Sequence, residues 1–227
     1  MPFKRDLESY RSQFERDGYI LPKDILSGSF MAFLKDFHAK SRPGNVAEIG
    51  QWRIGGKKQQ FLFEFPSDEV ALKFRRSIAV FTGTNENQIS VSERHLKQYV
   101  EDAPEYPASH KDRAASKVSI GLPVHLGRDA SVCVFSTLDR SPNMTERAVF
   151  MTSQDNPELS KIYKSADAPL LHEQLGDMIV FLGSTIYHER ICPRGTAVLY
   201  IKINDEGFDP LGEDIYTAKQ HSHELAD

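Results

Sequence analysis

Ser109-His110-Lys111-Asp112-Arg113 opens the stretch around which this chain is organised, and Gly176-Asp177-Met178-Ile179-Val180-Phe181-Leu182 followed by Tyr187-His188-Glu189-Arg190 closes it. On extended backbone, residues two apart point to the same side, so His110 and Asp112 present an imidazole and a carboxylate together. A third ligand returning on a distant strand would complete a facial metal site, and His188, which follows an apolar run, is the candidate. Two histidines and one carboxylate on one face leave neighbouring coordination positions open, an arrangement that suits non-haem Fe(II) working with dioxygen. His-x-Asp alone is a common pair. Its weight comes from the strand-like runs between His110 and His188, which a barrel needs to carry the chain away from the first two ligands and back.

Those runs have the two-residue period of strands. Over Lys117–Leu126, Val118, Ile120, Leu122, Val124 and Leu126 share one face, while Ser119, Gly121 and His125 share the other. Over Thr196–Asn204, Ala197, Leu199, Ile201 and Ile203 alternate with Val198, Tyr200 and Lys202. In a barrel covered by helices the apolar face turns outward to the helices and the polar face turns to the cavity. Lys202 is therefore expected inside, where it must find an anion or lose its charge, and His125 is expected on the cavity side. Ser131–Ser136, Ala148–Thr152 and Met178–Leu182 are further strand candidates.

The N-terminal part, about residues 1–100, reads as mainly helical. Leu7, Tyr10 and Phe14 give an amphipathic helix over Lys4–Arg16 that stops near Gly18, before a short strand at Tyr19-Ile20-Leu21-Pro22. Ser27 is a plausible N-cap for a helix to Ala39, and Val70, Phe74, Ile78 and Phe81 mark a third helix over Ser67–Thr82. Gln51–Ile54 and Gln60–Phe65 read as extended, and Ser92–Val100 and Glu158–Ser165 as short helices. Helices first and strands afterwards predict one domain over 1–227 that is mainly β with flanking α-helices, its β core at about 105–205 and a polar C-terminal tail.

Composition narrows the function. The chain has 227 residues, with 28 Lys plus Arg against 32 Asp plus Glu. The basic residues are scattered, so no nucleic-acid partner is expected. The apolar runs are far shorter than the ~20 residues a membrane-spanning helix needs. Two cysteines, Cys133 and Cys192, make no disulfide framework and the start lacks a signal-peptide core, which suggests a cytoplasmic protein. His95 and His172 lack ligand-spaced partners, and His221-Ser222-His223 lies in the polar tail.

His110-x-Asp112 with His188, the Gly176-Asp177-x-x-x-Phe181 run, and the opening Phe14-Glu15-Arg16-Asp17-Gly18-Tyr19-Ile20-Leu21 together resemble the Fe(II)/2-oxoglutarate-dependent oxygenases, most closely their phytanoyl-CoA hydroxylase-like branch. The resemblance implies a double-stranded β-helix of jelly-roll or cupin-like type, with Fe(II) on His110, Asp112 and His188, 2-oxoglutarate as co-substrate and dioxygen as oxidant. It also implies hydroxylation, desaturation or cyclisation at an unactivated C–H of a small metabolite, with release of succinate and carbon dioxide. Such enzymes usually hold the far carboxylate of 2-oxoglutarate with an arginine on the last core strand, and here the chain departs from the pattern. Arg190 and Arg194 come early, whereas Lys202 lies fourteen positions after His188 on the cavity face. Lys202 is the expected anchor, with Arg190 as a second anion contact. A metal-dependent isomerase or epimerase on a cupin-like barrel, and a non-catalytic barrel module, are the competing readings.

Overall fold

The chain is described by a computed structural model covering residues 1–41, 57–105, 108–151 and 168–207, with backbone alone at 57 and 58. The expected strand at 51–54, the expected helix at 158–165 and the His221/His223 tail lie outside the described residues.

Among the described residues eleven strands form two antiparallel sheets. They are β1 (Tyr19–Ile20), β2 (Lys57–Leu62), β3 (Ser90–Tyr99), β4 (His110–Lys111), β5 (Val118–His125), β6 (Ser131–Phe135), β7 (Val149–Phe150), β8 (Leu170–Leu171), β9 (Ile179–Phe181), β10 (Tyr187–Ile191) and β11 (Ala197–Asn204). The larger sheet runs β1-β9-β5-β11-β3-β2 and the smaller β7-β4-β10-β6-β8. Together they make the double-stranded β-helix core expected from the strand runs, and three strands of the larger sheet, β1 to β3, come from the part read as mainly helical.

Three expected helices form, the first of them shorter than the spacing predicts, since Lys4–Leu7 are not helical. After a single 3-10 turn, α1 (Arg11–Asp17) ends on Gly18, whose φ of 78° closes the helix in the left-handed conformation that glycine adopts without strain. Helices α2 (Gly28–Lys40) and α3 (Asp68–Thr82) start on Ser27 and Ser67, whose hydroxyls accept from the N–H of Phe30 and Val70. Their buried residues pack with Val118, Ile120, Leu122, Leu199 and Ile201 on the outer face of the larger sheet. The inner face carries Ile179, Phe181, Val198 and Tyr200, which meet Val132 and Val134 from β6.

Two expectations fail at particular residues. The expected helix Ser92–Val100 is not one, because Ser92–Tyr99 belongs to β3 and pairs with β11. Its cavity-side residues Glu93 and Lys97 are charged, and Arg94 and Gln98 occupy outward positions, so the apolar alternation that marks a strand is missing. His125 leaves the cavity side because a bulge opposite Ala197/Val198 inserts one residue, which reverses the facing of everything beyond it. His125 is exposed, its Nδ1 is 2.8 Å from Gly195 O, and its ring lies 6.3 Å from that of His38 on α2.

Candidate metal centre

His188 on β10 stands directly opposite His110 on β4. Opposed residues of an antiparallel pair hold their Cβ atoms about 4.5–5.5 Å apart, and the two imidazole centroids are accordingly 4.7 Å apart. Asp112 follows β4 and is fixed by its backbone, its N–H donating to Gly183 O at 2.8 Å and its carbonyl accepting from Asn143 Nδ2 at 2.8 Å. Its Oδ1 lies 3.7 Å from His110 Nε2, and its Oδ2 lies 3.7 Å from His188 Nε2. One ligand atom from each residue falls within 4.8 Å of the other two.

The ring tautomers follow from the partners of Nδ1. That atom lies 3.2 Å from Ala108 O in His110 and 2.9 Å from Ile186 O in His188. A carbonyl can only accept, so each Nδ1 carries the hydrogen, and in the neutral, metal-binding form of each ring the Nε2 lone pair turns toward the common centre. Electron-pair donors converging in this way repel one another unless a cation stands between them. The donor set therefore fits a divalent metal, with backbone carbonyls fixing the orientation of both imidazoles.

Lys111, between two of these residues in sequence, points the other way. Its Nζ donates to Asp139 Oδ2 at 2.9 Å and to Ser141 O at 2.7 Å, and sits over the Tyr187 ring. The Asp177 carboxylate is also structural. It accepts from Lys23 Nζ, Asp24 N and Gln174 N at 2.8–3.0 Å, tying the N-terminal segment to the turn before β9. Phe181, at the end of β9, packs its ring 4.2 Å from that of His188.

Lys202 is buried, as the alternation of β11 predicts, and its Nζ donates to Asp112 Oδ1 at 2.5 Å. Ser119, also on the cavity face, donates to Asp112 Oδ2 at 2.6 Å. Glu93 Oε2 stands 3.7 Å from Lys202 Nζ, and Glu93 is ion-paired with Lys97. Burial alone would raise the Asp112 carboxyl, yet the Lys202 ammonium, joined by His188 and His110 whenever those rings are protonated, holds it well below the usual carboxylate range. Glu93 is depressed against burial in the same way, chiefly by Lys202 and Lys97. Burial would lower the Lys202 ammonium, but Asp112 and Glu93 raise it, so it stays charged inside the barrel.

Arg190 follows His188 by two residues on the same face of β10, roughly 6.6 Å along the strand. Its Nε donates to Tyr200 Oη at 3.1 Å, and it is ion-paired with the buried Glu173. Nη2 is buried with no hydrogen-bond partner among the described residues. Burial pushes Tyr99 up to about 12 and raises Tyr200 as well, so both phenols remain protonated. Glu189, between the two inward residues, faces the other side of the sheet beside Cys133, whose thiol burial raises to about 12.

A cavity joins these parts, lined among others by His110, Asp112, His188, Arg190, Tyr200 and Lys202. Arg194 is directed elsewhere, donating to Ala103 O at 2.9 Å. Sequence reading missed Glu93 and Lys97 because their strand reads as a helix, and it assigned no role to Ser119 or Tyr200 although both alternate onto the cavity face. Glu173, outside any strand, carries no signal of its own.

No family model matches the chain, and no curated protein matches it in sequence. Solved structures do match in fold. A prolyl-4-hydroxylase from Pseudomonas putida is 15% identical with a TM-score of 0.52, over 87% of this chain and 98% of that one. A 2OG-Fe(II) oxygenase family oxidoreductase from Burkholderia pseudomallei is 11% identical with a TM-score of 0.55, over 91% and 93%. The epimerase SnoN, solved in complex with Fe3+, alpha-ketoglutarate and nogalamycin RO, is 13% identical with a TM-score of 0.52, over 86% and 83%. The chain thus shares its fold with Fe/2-oxoglutarate oxygenases and has a His-Asp-His cluster of its own. Among the described residues no helix is long and apolar enough to cross a membrane.

Proposed function

We propose that the chain is an Fe(II)- and 2-oxoglutarate-dependent oxygenase that hydroxylates a C–H bond of a small metabolite. The observation that carries this reading is the convergence of His110, Asp112 and His188 on a cavity whose polar walls include Arg190, Tyr200 and Lys202. When bound there, the metal with the keto acid and dioxygen supplies the oxidising power for C–H functionalisation, with succinate and carbon dioxide as co-products.

The residues of the chain account for binding and orientation. His110 and His188 offer Nε2, held in place through Nδ1, and Asp112 offers a carboxylate oxygen. Around the cavity Lys97, Lys202 and Arg190 are balanced by Glu93, Asp112 and Glu173. A divalent metal added to that balance leaves an excess of positive charge that a dicarboxylate cancels. Lys202 is bonded to Asp112 itself, whereas Arg190 and Tyr200 are bonded to each other, so Arg190 Nη2 and the Tyr200 hydroxyl suit the distant carboxylate of 2-oxoglutarate. Lys202 serves the end nearer the metal.

The likeness to SnoN supports one second reading, an epimerase working with the same metal and co-substrate. Turnover with a panel of small metabolites, following succinate and the mass of the product, tests both. Hydroxylation adds one oxygen atom to the product, whereas epimerisation leaves its mass unchanged. Succinate formation that stays at background across the panel, with Fe(II) and air supplied, would remove the oxygenase reading.

A further inference from the structure

Lys202 stands between two buried carboxylates, 2.5 Å from Asp112 Oδ1 and 3.7 Å from Glu93 Oε2. Asp112 is one of the three converging ligands, so the ammonium and an incoming metal draw on the same charge. Two cations cannot both lie close to one carboxylate in a buried site without strong repulsion. The ammonium is on a flexible four-carbon stem and can turn about its side-chain bonds, whereas Asp112 is fixed through its backbone N–H and carbonyl and by Ser119. The group that moves is therefore Lys202, and Glu93 is the carboxylate to which it can move. Lys97 is also ion-paired with Glu93 and is set over the Tyr200 ring at 5.4 Å.

We infer that Lys202 is a tethered counter-cation for Asp112 which withdraws toward Glu93 when a metal ion binds, so that Lys202 and Glu93 together set the metal affinity of the co-substrate-free protein. This rests on the ligand assignment proposed above and adds to it a competition internal to the chain. Two opposite effects follow. Removing Lys202 removes the competitor and strengthens metal binding. Neutralising Glu93 removes the place of withdrawal and weakens it, although Glu93 is not among the ligands.

Calorimetric titration with Mn(II), without 2-oxoglutarate, reads both effects and needs no turnover. For Lys202→Met the dissociation constant falls by about tenfold or more, and for Glu93→Gln it rises by about tenfold, the scale expected from gain or loss of one close buried charge. The double variant binds like Lys202→Met, because with no ammonium present Glu93 has nothing to receive. Thermal melts establish that each variant is folded, and should Lys202→Met not fold, Lys202→Gln with Glu93→Gln reads the same pair of directions. Weaker Mn(II) binding in the Lys202 variant, or unchanged binding in Glu93→Gln, overturns the inference while leaving the ligand assignment standing. Wild-type binding that persists in His188→Ala overturns the assignment itself.

Discussion

Gly183 and Asp112 are locked together at the edge of the candidate metal centre. The Gly183 carbonyl accepts the Asp112 N–H at 2.8 Å, and a Cβ built on Gly183 would lie 2.5 Å from Asp112 Oδ2 and from Ser119 Oγ. A glycine is needed here for space. Gly183→Ala must push the carboxylate or the Ser119 hydroxyl aside, and about tenfold weaker metal binding is expected with the fold retained. Titration of metal together with a thermal melt checks it, and unchanged affinity would mean that the carboxylate needs no such fixing.

Ser119 donates to the Asp112 oxygen that lies nearer His188. Ser119→Ala removes the donor without adding bulk, so metal affinity is expected to fall by roughly 10- to 100-fold, the usual cost of losing a partner that orients a ligand. Ser119→Thr, which keeps the hydroxyl, should recover much of it. Equal affinities in all three proteins would show that the bond does not orient the ligand.

Arg190→Met is expected to weaken 2-oxoglutarate binding while leaving metal affinity nearly unchanged. Truncating a buried charge partner costs on the order of 2 to 5 kcal/mol. The same change strands Glu173, whose side chain is fully buried, so the single variant should also melt earlier. Pairing it with Glu173→Gln is expected to restore stability but not co-substrate affinity. Recovery of both would return the far-carboxylate role to Lys202.

Acid stability should carry the mark of Glu93. Its folded-state carboxyl is held below the ordinary value, against burial, by Lys202, Lys97 and His95. The unfolded chain therefore takes up the proton first, and the contribution of Glu93, present above its unfolded pKa of about 4.3, is lost as pH falls below that value. Denaturant unfolding from pH 6 down to about pH 3 should show a shallower loss of stability for Glu93→Gln than for wild type. Parallel curves would show that Glu93 is not held down in the fold.

Part of the candidate site was legible in the sequence because alternation is a strong signal where one strand face is apolar. That signal placed Lys202 inside, through the outward set Ala197, Leu199, Ile201 and Ile203. It was misleading where a single residue is inserted, as beyond Pro123, where the bulge carries His125 to the helix side. It was absent where both faces are polar, as in β3, so the Glu93 and Lys97 pair stayed hidden. The pairing of His188 with His110 joins residues far apart in sequence, and only the topology of the smaller sheet brings them together. Strands β4 and β8, two residues each, are too short to show any period.

The central claim is that His110, Asp112 and His188 hold the metal on which co-substrate binding depends. Anaerobic titration tests it most directly, adding Fe(II) first and 2-oxoglutarate second, to wild type and to His188→Ala. The account predicts one Fe(II) per wild-type chain, 2-oxoglutarate binding only once the metal is in place, and loss of both in the variant. Fe(II) held as tightly by His188→Ala, or 2-oxoglutarate bound equally well by metal-free wild type, would contradict it.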